Sequence, residues 1–310
     1  MKIGVDIGGT KCAVVLGDER QIVRKIKFPT TNCKETLDHI IRVIEEIGTG
    51  DAIGISCGGP LDTQKGLILS PPNLPDWDRV AIVDILSKKF GIPAYLCNDA
   101  NACALAEWKY GAGQGTQNMV FLTFGTGLGA GLILNGQLYN GTNGMAGEVG
   151  HIRLSEHGPV GYGKAGSFEG FCSGNGLSQI GRALALEQLQ IGKTLPYCQS
   201  VSELEKINAK VLADYADEGE PVALKAYQIC GEMLGRGLSI IVDILNPEVI
   251  VIGSIFQRSE ELLREHMERY LNWESLAISN SVCRVLPTKL GESIGDYAAL
   301  SVAFEGKNIH

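Results

Sequence analysis

The chain has 310 residues, enough for two domains of ordinary size with a substantial core. Its 27 basic residues against 35 acidic ones give a formal net charge of -8, so no nucleic-acid partner is expected. Nine scattered cysteines without a CxxC pair predict reduced thiols and a cytoplasmic protein. No signal peptide is recognised, and no apolar run reaches the about 18 residues of a membrane span, so no membrane partner is expected.

The first third of the sequence predicts strands that end in turns and alternate with helices. Strands are predicted for KIGVDI, CAVVLGD, IVRKIKF, AIGISCGG and PAYLCND. The spacing of apolar residues predicts an amphipathic helix over residues 34–48, and VAIVDILSKKFG and residues 100–110 are predicted as further helices. A polar, glycine-containing stretch at 112–118 indicates a domain boundary.

The rest of the sequence begins with a second pair of strands around a glycine-rich turn and then becomes mostly helical. NMVFLTF and AGLILN are predicted strands around a glycine-rich turn, and residues 202–245 are predicted to be mostly helical. Asn246-Pro247 ends a long buried helix, EVIVIGS predicts a core strand, and IGDYAALSVAFEG predicts a last helix. The predicted domains are residues 1–116, onto which a helix at about 293–306 packs back, and residues 117–292.

Two glycine-rich turns have the composition of phosphate-binding loops. In the Asp6–Lys11 segment, DIGGTK, glycines allow backbone N–H groups to approach phosphate oxygens, and Thr10 and Lys11 add donors. Asp6 can hold Mg²⁺ through water. The Gly125–Gly131 segment, GTGLGAG, is a second such turn after a strand. Each turn taken alone also fits an ordinary polar hairpin.

Asn98-Asp99 ends one predicted strand and begins the alanine-rich helix. A carboxylate at this corner points beyond the strand ends, where ligands of α/β sheets bind. It can accept the proton of a hydroxyl group whose oxygen attacks phosphorus. Aspartate is also a favoured helix N-cap, so the sequence leaves both roles open.

A third polar group comes from Glu148 and His151, which lie between glycines, and from Glu169, which follows a glycine-rich loop. Carboxylate and imidazole groups bind vicinal hydroxyls and so fix a sugar ring. A metal site and a surface cluster without a ligand fit the same residues, and these alternatives stay open.

Eight segments in order resemble the motifs of the ROK family of sugar kinases and repressors, over about residues 1–306: DIGGTK, SCGGPLD, PPNLPDW, NDANA, GTGLGAG, GEVGHI, the Glu169 segment and NPEVIVIG. The resemblance implies an α/β fold with two lobes, the actin-like ATPase or ribonuclease-H-like fold, with the active site in the cleft. It implies a glucokinase-like, ATP-dependent sugar kinase that uses Mg²⁺ and forms a homodimer. The repressors carry an N-terminal helix-turn-helix, and because the first strand begins at Lys2, no DNA reader is expected.

The resemblance also implies a role for each motif residue. Asp99 matches the catalytic base, and Asp6 lies near the metal. The implied sugar ligands are Gly59, Asn73, Asn98, Asp99, Glu148, His151 and Glu169. The implied ATP ligands are Asp6, Gly8, Gly9, Thr10, Lys11, Thr126, Gly127, Gly129, Gly253 and Ser254. Ser254 stands where the family usually has a second glycine, which bears on nucleotide preference.

The largest departure from the family concerns its structural zinc motif, CxCGxxGCxE. The cysteine positions are occupied by Val160, Tyr162 and Ser167. None of these is a zinc ligand, so zinc is predicted to be absent. An alternative site would use His151, His157 and Cys172. Without zinc another group must orient His151, and the loop is expected to be anchored by Tyr162 and Phe168.

The substrate is expected to be glucose or a related hexose. N-acetylmannosamine, N-acetylglucosamine and fructose are alternatives, because a few kcal/mol in the pocket decide between sugars. A catalytically silent sugar-sensing regulator and a different kinase or ATPase of the same fold are alternatives of another class. The intact Asp99 and both phosphate-type turns favour the kinase.

Overall fold

A computed structural model describes residues 1–309, which form two compact units. The first unit contains Met1–Phe121, Gly131–Gly147 and the segment from Lys289 onward. The second unit contains Leu122–Ala130 and Glu148–Thr288. Within residues 1–309, no helix combines the length and the apolar composition needed to cross a membrane.

The secondary structure alternates strands and helices. The strands are β1 Lys2–Ile7, β2 Lys11–Gly17, β3 Ile22–Pro29, β4 Ile53–Cys57, β5 Leu61–Asp62, β6 Leu67–Ile68, β7 Ala94–Asn98, β8 Met119–Phe124, β9 Leu128–Leu134, β10 Gln137–Leu138, β11 Val160–Gly161, β12 Lys164–Ala165, β13 Val249–Ile252 and β14 Arg284–Pro287. The helices are α1 Cys33–Ile47, α2 Ile82–Phe90, α3 Asp99–Tyr110, α4 Phe168–Phe171, α5 Gly174–Gln190, α6 Ala209–Asp217, α7 Pro221–Leu245, α8 Ile255–Arg258, α9 Glu260–Glu274, α10 Ala277–Asn280 and α11 Ile294–Glu305. Short 3₁₀ helices are formed by Val149–His151, Val201–Lys206, Gly291–Ser293 and Gly306–Ile309.

The sheet of the first unit has the strand order β3-β2-β1-β4-β7. Strands β1, β2 and β3 are antiparallel, whereas β4 and β7 run parallel to β1. Ile7 lies opposite Cys57, which lies opposite Asn98, so the carboxyl ends of β1, β4 and β7 share one edge. Helix α11 packs against β1 and β4. Glycine is required at Gly4, because an added Cβ would lie 2.7 Å from the backbone nitrogen of Leu300.

The second sheet has the strand order β10-β9-β8-β13-β14, with β13 and β14 parallel. In the second unit, α7 packs against α5, α6 and α9. The predicted long buried helix is confirmed, and it ends where Asn246 adopts a left-handed φ of 45°. Asn tolerates this conformation better than most residues, and Pro247 cannot continue the helix.

Most predicted elements of the first unit are confirmed within a residue or two, including α1, α3 and the strands β1, β2 and β3. The segment predicted as mostly helical contains α6 and α7 after a 3₁₀ helix. Helices α5 and α9 and strand β14 were not predicted.

Candidate active site

Three predicted site segments of the first unit lie at the shared carboxyl edge of β1, β4 and β7. The residues that follow these strand ends are the Gly8-Gly9 turn, the Gly58-Gly59 loop and Asp99. Ligands of open α/β sheets bind at this edge, because the loops there expose backbone N–H groups and polar side chains beyond the strands. The fold therefore brings these segments together within the first unit.

Asn98 and Asp99 both contact the first turn of α3. The N–H of Ala100 donates to Asn98 Oδ1 at 3.0 Å and to Asp99 Oδ1 at 2.8 Å. Asp99 Oδ2 faces Gly58, where an added Cβ would lie 3.7 Å from this oxygen. Desolvation by the surrounding protein raises the pKa of Asp99, although the hydrogen bonds to Ala100 and Asn98 oppose the rise. Asn98 supplies the N-cap, so helix capping does not occupy both oxygens of Asp99.

The DIGGTK turn is closed by backbone hydrogen bonds. The N–H of Gly8 donates to the carbonyl of Lys11 at 3.1 Å, and the Thr30 hydroxyl donates to the carbonyl of Gly8 at 2.6 Å. Gly9 packs against Asn73, because an added Cβ would lie 2.5 Å from Asn73 Cβ and 2.8 Å from its carbonyl oxygen. Two predicted ligands from separate motifs are thus in contact.

Asp6 lies at the end of β1 beside a small cavity. Desolvation and the nearby carboxylates of Asp296 and Asp99 raise the pKa of Asp6 to about 6. The cavity has a volume of about 100 Å³ and is lined by Asp6, Lys11, Cys12, Ala13, Lys27, Glu292, Gly295 and Asp296. Asp296 is buried and forms an ion pair with Lys25. A divalent cation next to Asp6 would offset the repulsion between these carboxylates.

The GTGLGAG turn of the second unit is held by both backbone and side-chain hydrogen bonds. The N–H of Gly125 donates to the carbonyl of Gly127 at 3.1 Å, and the N–H of Gly129 donates to Thr123 Oγ1 at 3.0 Å. The Thr126 side chain is exposed. The N–H of Leu128 donates to Glu169 Oε2 at 3.0 Å, so this turn is tied to a predicted sugar ligand.

Glu169 lies in the first turn of α4 and is surrounded by three glycine-containing loops. A Cβ added to Gly127 would lie 2.6 Å from Glu169 Oε2. A Cβ added to Gly150 or to Gly161 would lie 3.2 Å or 2.9 Å, respectively, from Glu169 Cβ. Ser167 caps α4 by accepting the N–H of Gly170 at 3.0 Å. The Glu169 carboxylate is therefore fixed by close packing as well as by its hydrogen bond.

His151 ends a 3₁₀ helix whose N-cap residue is the exposed Glu148. The ring of Tyr162 meets the imidazole edge-on, with centroids 5.2 Å apart and an angle of 83° between planes. Lys164 Nζ donates to the carbonyl of His151 at 2.7 Å. Phe168 is fully buried, as expected for a loop anchor, whereas Tyr162 is 83% exposed and contacts His151 instead.

No group of three or more His, Cys, Asp or Glu side chains is arranged to hold a metal ion within residues 1–309. The alternative zinc site of His151, His157 and Cys172 is therefore not formed in the described part of the chain. Cys172 is buried, and its thiol contacts the carbonyl of Cys230 at 3.5 Å, whereas His157 is exposed.

Gly253 and Ser254 follow β13 and lie beside the GTGLGAG turn. The N–H of Gly253 donates to the carbonyl of Leu122 at 3.0 Å, and an added Cβ on Gly125 would lie 3.8 Å from Ser254 Oγ. Ser254 has a φ of 56°, a backbone conformation that favours glycine. The serine therefore occupies a position with the backbone of a glycine.

Three charged residues near Asp6 were missed in the sequence: Asp296, Lys25 and Lys27. The one available signal was Asp296, a carboxylate in the first turn of a mostly apolar helix. The lysines come from exposed positions of β3, where alternation alone does not distinguish a site residue from a solvated one.

Comparison with known proteins places these motifs in one family. The sequence matches the ROK family over residues 2–304. A glucokinase of Thermotoga maritima is 35% identical over 269 residues, which cover 84% of each chain. The crystal structure of a ROK family glucokinase from Streptomyces griseus in complex with glucose and AMPPNP is 30% identical, with a TM-score of 0.77 over 98% of this chain and 99% of that chain. A ROK hexokinase from Thermus thermophilus is 28% identical, with a TM-score of 0.80 over 97% of each chain.

The predicted α/β class and actin-like ATPase fold are confirmed by the likeness to these two structures. The family match extends over nearly the whole chain and includes every motif on which the resemblance rested. The chain therefore belongs to the ROK family.

Proposed function

We propose that the chain transfers the γ-phosphate of ATP to a hydroxyl of a hexose, with Asp99 as the general base. The observation that carries this proposal is the position of Asp99 at the carboxyl edge shared by β1, β4 and β7, with Oδ2 facing Gly58, which lies between Asp99 and the DIGGTK turn in the strand order. The similarity to glucokinases supports a sugar kinase. Asp99 accepts the hydroxyl proton as the oxygen attacks phosphorus in line.

The proposed hexose ligands are the polar residues of the motifs that resemble the family's sugar site. In the first unit these are Asn98 and Asp99, with Gly59 and Asn73 as further contacts. In the second unit they are Glu148, His151 and Glu169. Carboxylate, amide and imidazole groups bind vicinal hydroxyls in pairs, which fixes the ring and aims one hydroxyl. We expect glucose or a related hexose, with N-acetylmannosamine, N-acetylglucosamine and fructose as alternatives.

Backbone N–H groups of glycine-rich turns are the proposed contacts to the phosphates of ATP. The proposed ligands are Asp6, Gly8, Gly9, Thr10, Lys11, Thr126, Gly127, Gly129, Gly253 and Ser254. Mg²⁺, when bound, neutralises phosphate charge, and Asp6 would hold it through water. Lys11 and Lys27 at the Asp6 cavity supply positive charge for phosphate oxygens.

We further propose that the protein works without zinc and in the reducing cytoplasm. All nine cysteines are unpaired in the described residues, which supports a reducing compartment. The zinc proposal rests on Val160, Tyr162 and Ser167 at the cysteine positions of the motif.

A homodimer is proposed through an apolar surface of the second unit, the α10 patch. It consists of Ile244, Trp273, Leu276, Ile278 and Val282, each more than half exposed. Helix α10 packs against α7 and α9, and the N–H of Leu276 donates to Asp243 Oδ1 at 2.9 Å, so these residues are neighbours. Exposed apolar side chains that lie close together are typical of protein interfaces.

The proposed function is tested by incubating the purified protein with ATP, Mg²⁺ and a panel of hexoses while ADP release is measured. Hexose-dependent release is expected, with one sugar preferred. Carboxylate acceptors in parallel separate sugar kinases from acyl-phosphate kinases. Hexose binding without ADP release would contradict catalysis and favour a sugar-sensing regulator.

A further inference from the structure

We propose that the hairpin Val160–Ala165, here the Tyr162 hairpin, positions His151 for hexose binding by contacting both its ring and its main chain. Tyr162 meets the imidazole edge-on at 5.2 Å, and Lys164 Nζ donates to the His151 carbonyl at 2.7 Å. The inference rests on the proposed function, because His151 is a sugar ligand only there. Tyr162 acts through His151 and is therefore a positioning residue.

Tyr162 occupies a backbone position of the hairpin that disfavours a bulky side chain. Tyr162 has a φ of 43° and Gly163 a φ of 76°, two successive left-handed residues between paired strands. Such two-residue turns favour Asn-Gly, since a bulky side chain is unfavourable at the first position. Strained residues of this kind are enriched at functional sites.

The exposure of Tyr162 supports the same conclusion. The side chain is 83% exposed, so it buries little apolar surface and contributes little to the core. Its ring contact is with His151. A strained and exposed aromatic residue is thus explained by its neighbour.

The Tyr162 hairpin is held by hydrogen bonds to α5 and packs against Glu169. Gln179 exchanges two hydrogen bonds with the backbone of Val160, both at 2.9 Å. Gly161 packs so closely that an added Cβ would lie 2.9 Å from Glu169 Cβ. The Tyr162 hairpin therefore contacts both His151 and Glu169, and it fixes these two proposed hexose ligands relative to each other within the second unit.

The imidazole nitrogens of His151 can still hydrogen-bond to a ligand. Within residues 1–309 the structure contains no side-chain hydrogen bond to the imidazole of His151. A T-shaped ring contact restricts rotation of the imidazole. The Tyr162 hairpin can thus orient His151 while both nitrogens remain available for sugar hydroxyls.

The test compares Tyr162→Asn with Tyr162→Phe in the full-length protein. Asparagine suits the left-handed turn and removes the ring, so Tyr162→Asn is expected to fold at least as stably as the original chain. Its KM for hexose should rise by about tenfold or more while its KM for ATP stays within about twofold. Tyr162→Phe keeps the ring contact and should retain both values.

The second readout is the proton resonance of the His151 imidazole, assigned by its loss in His151→Gln. Ring removal in Tyr162→Asn is expected to shift this resonance, whereas Tyr162→Phe should keep it. An unchanged resonance in Tyr162→Asn would overturn the proposal, even if no hexose proves to be a substrate. A hexose KM that rises in His151→Gln but not in Tyr162→Asn would also overturn it while leaving the proposed function intact.

Discussion

The carboxylate of Glu169 accepts a hydrogen bond from the backbone N–H of Leu128 at 3.0 Å. A proposed hexose ligand therefore supports the turn that we propose for ATP. Because one carboxylate oxygen is committed to this turn, a displacement of Glu169 changes both the sugar contacts and the shape of the GTGLGAG turn. Binding of the two substrates is expected to be coupled through this pair.

The close approach of Gly127 to Glu169 predicts that a substitution at Gly127 weakens sugar binding. In Gly127→Ala the new Cβ would lie 2.6 Å from Glu169 Oε2, so the flexible carboxylate must move. We expect the KM for hexose to rise by about tenfold, with little loss of thermal stability. Steady-state kinetics and a melting curve measure both effects.

Gly125→Ala is the matched control in the same turn, since its new Cβ meets nothing closer than Ser254 Oγ at 3.8 Å. It should change the KM for hexose by no more than about twofold. Equal effects of the two substitutions would show that Glu169 is not displaced as described.

The raised pKa of Asp6 predicts that its removal stabilises the protein above neutral pH. The pKa of Asp6 is about 6 in the folded chain against an ordinary value of 3.8, so its favourable contribution is complete below 3.8 and is lost as pH rises through 6. Asp6→Asn should therefore be more stable than the original chain at about pH 8, by about 2 kcal/mol. The gain should shrink toward about pH 4.5, and kinase activity should fall.

Urea denaturation at both pH values, without nucleotide, measures the free energy of unfolding. A stability gain that is the same at both pH values would contradict the account of Asp6, because titration of the carboxyl group is its only source.

The altered zinc motif predicts that the purified protein holds no stoichiometric zinc. Val160, Tyr162 and Ser167 cannot ligate the ion. Elemental analysis of protein prepared without chelators checks this, and activity should be insensitive to a zinc chelator in excess Mg²⁺. About one zinc per chain, lost together with activity, would show that other ligands are used.

The α10 patch predicts that Ile278→Asp gives monomers, because a charge at an apolar interface must be desolvated. Light scattering should report half the original mass, with kcat for hexose unchanged. Ile191→Asp is the control, since Ile191 is also an exposed isoleucine but lies at the end of α5. If Ile278→Asp remains dimeric, the interface lies elsewhere. If the unsubstituted protein is itself monomeric, the proposed dimer is ruled out.

The sequence predicted the site segments well where local chemistry defines them. DIGGTK, GTGLGAG and Asn98-Asp99 are short stretches in which glycines or a helix start fix the conformation, and their strand ends follow from apolar patterning. Residues brought in from a distance could not be predicted in this way. Asp296 reaches Asp6 through the packing of α11 on β1, which depends on tertiary contacts.

The region around His151 shows the same limit. The zinc motif's absence could be read from the sequence, but the contact between Tyr162 and His151 depends on a two-residue turn with left-handed φ at a tyrosine, which local propensity disfavours. Helices α5 and α9 were missed because their apolar faces are interrupted by polar residues, and packing against α7 decides their structure.

The most direct test of the account is the turnover of Asp99→Asn with saturating ATP and the preferred hexose. This substitution keeps an acceptor for the N–H of Ala100 and removes the base. We expect kcat to fall by at least about a hundredfold, while the melting temperature and hexose affinity by calorimetry change little. Near-normal turnover in this variant would contradict the role of Asp99 and with it the proposed mechanism.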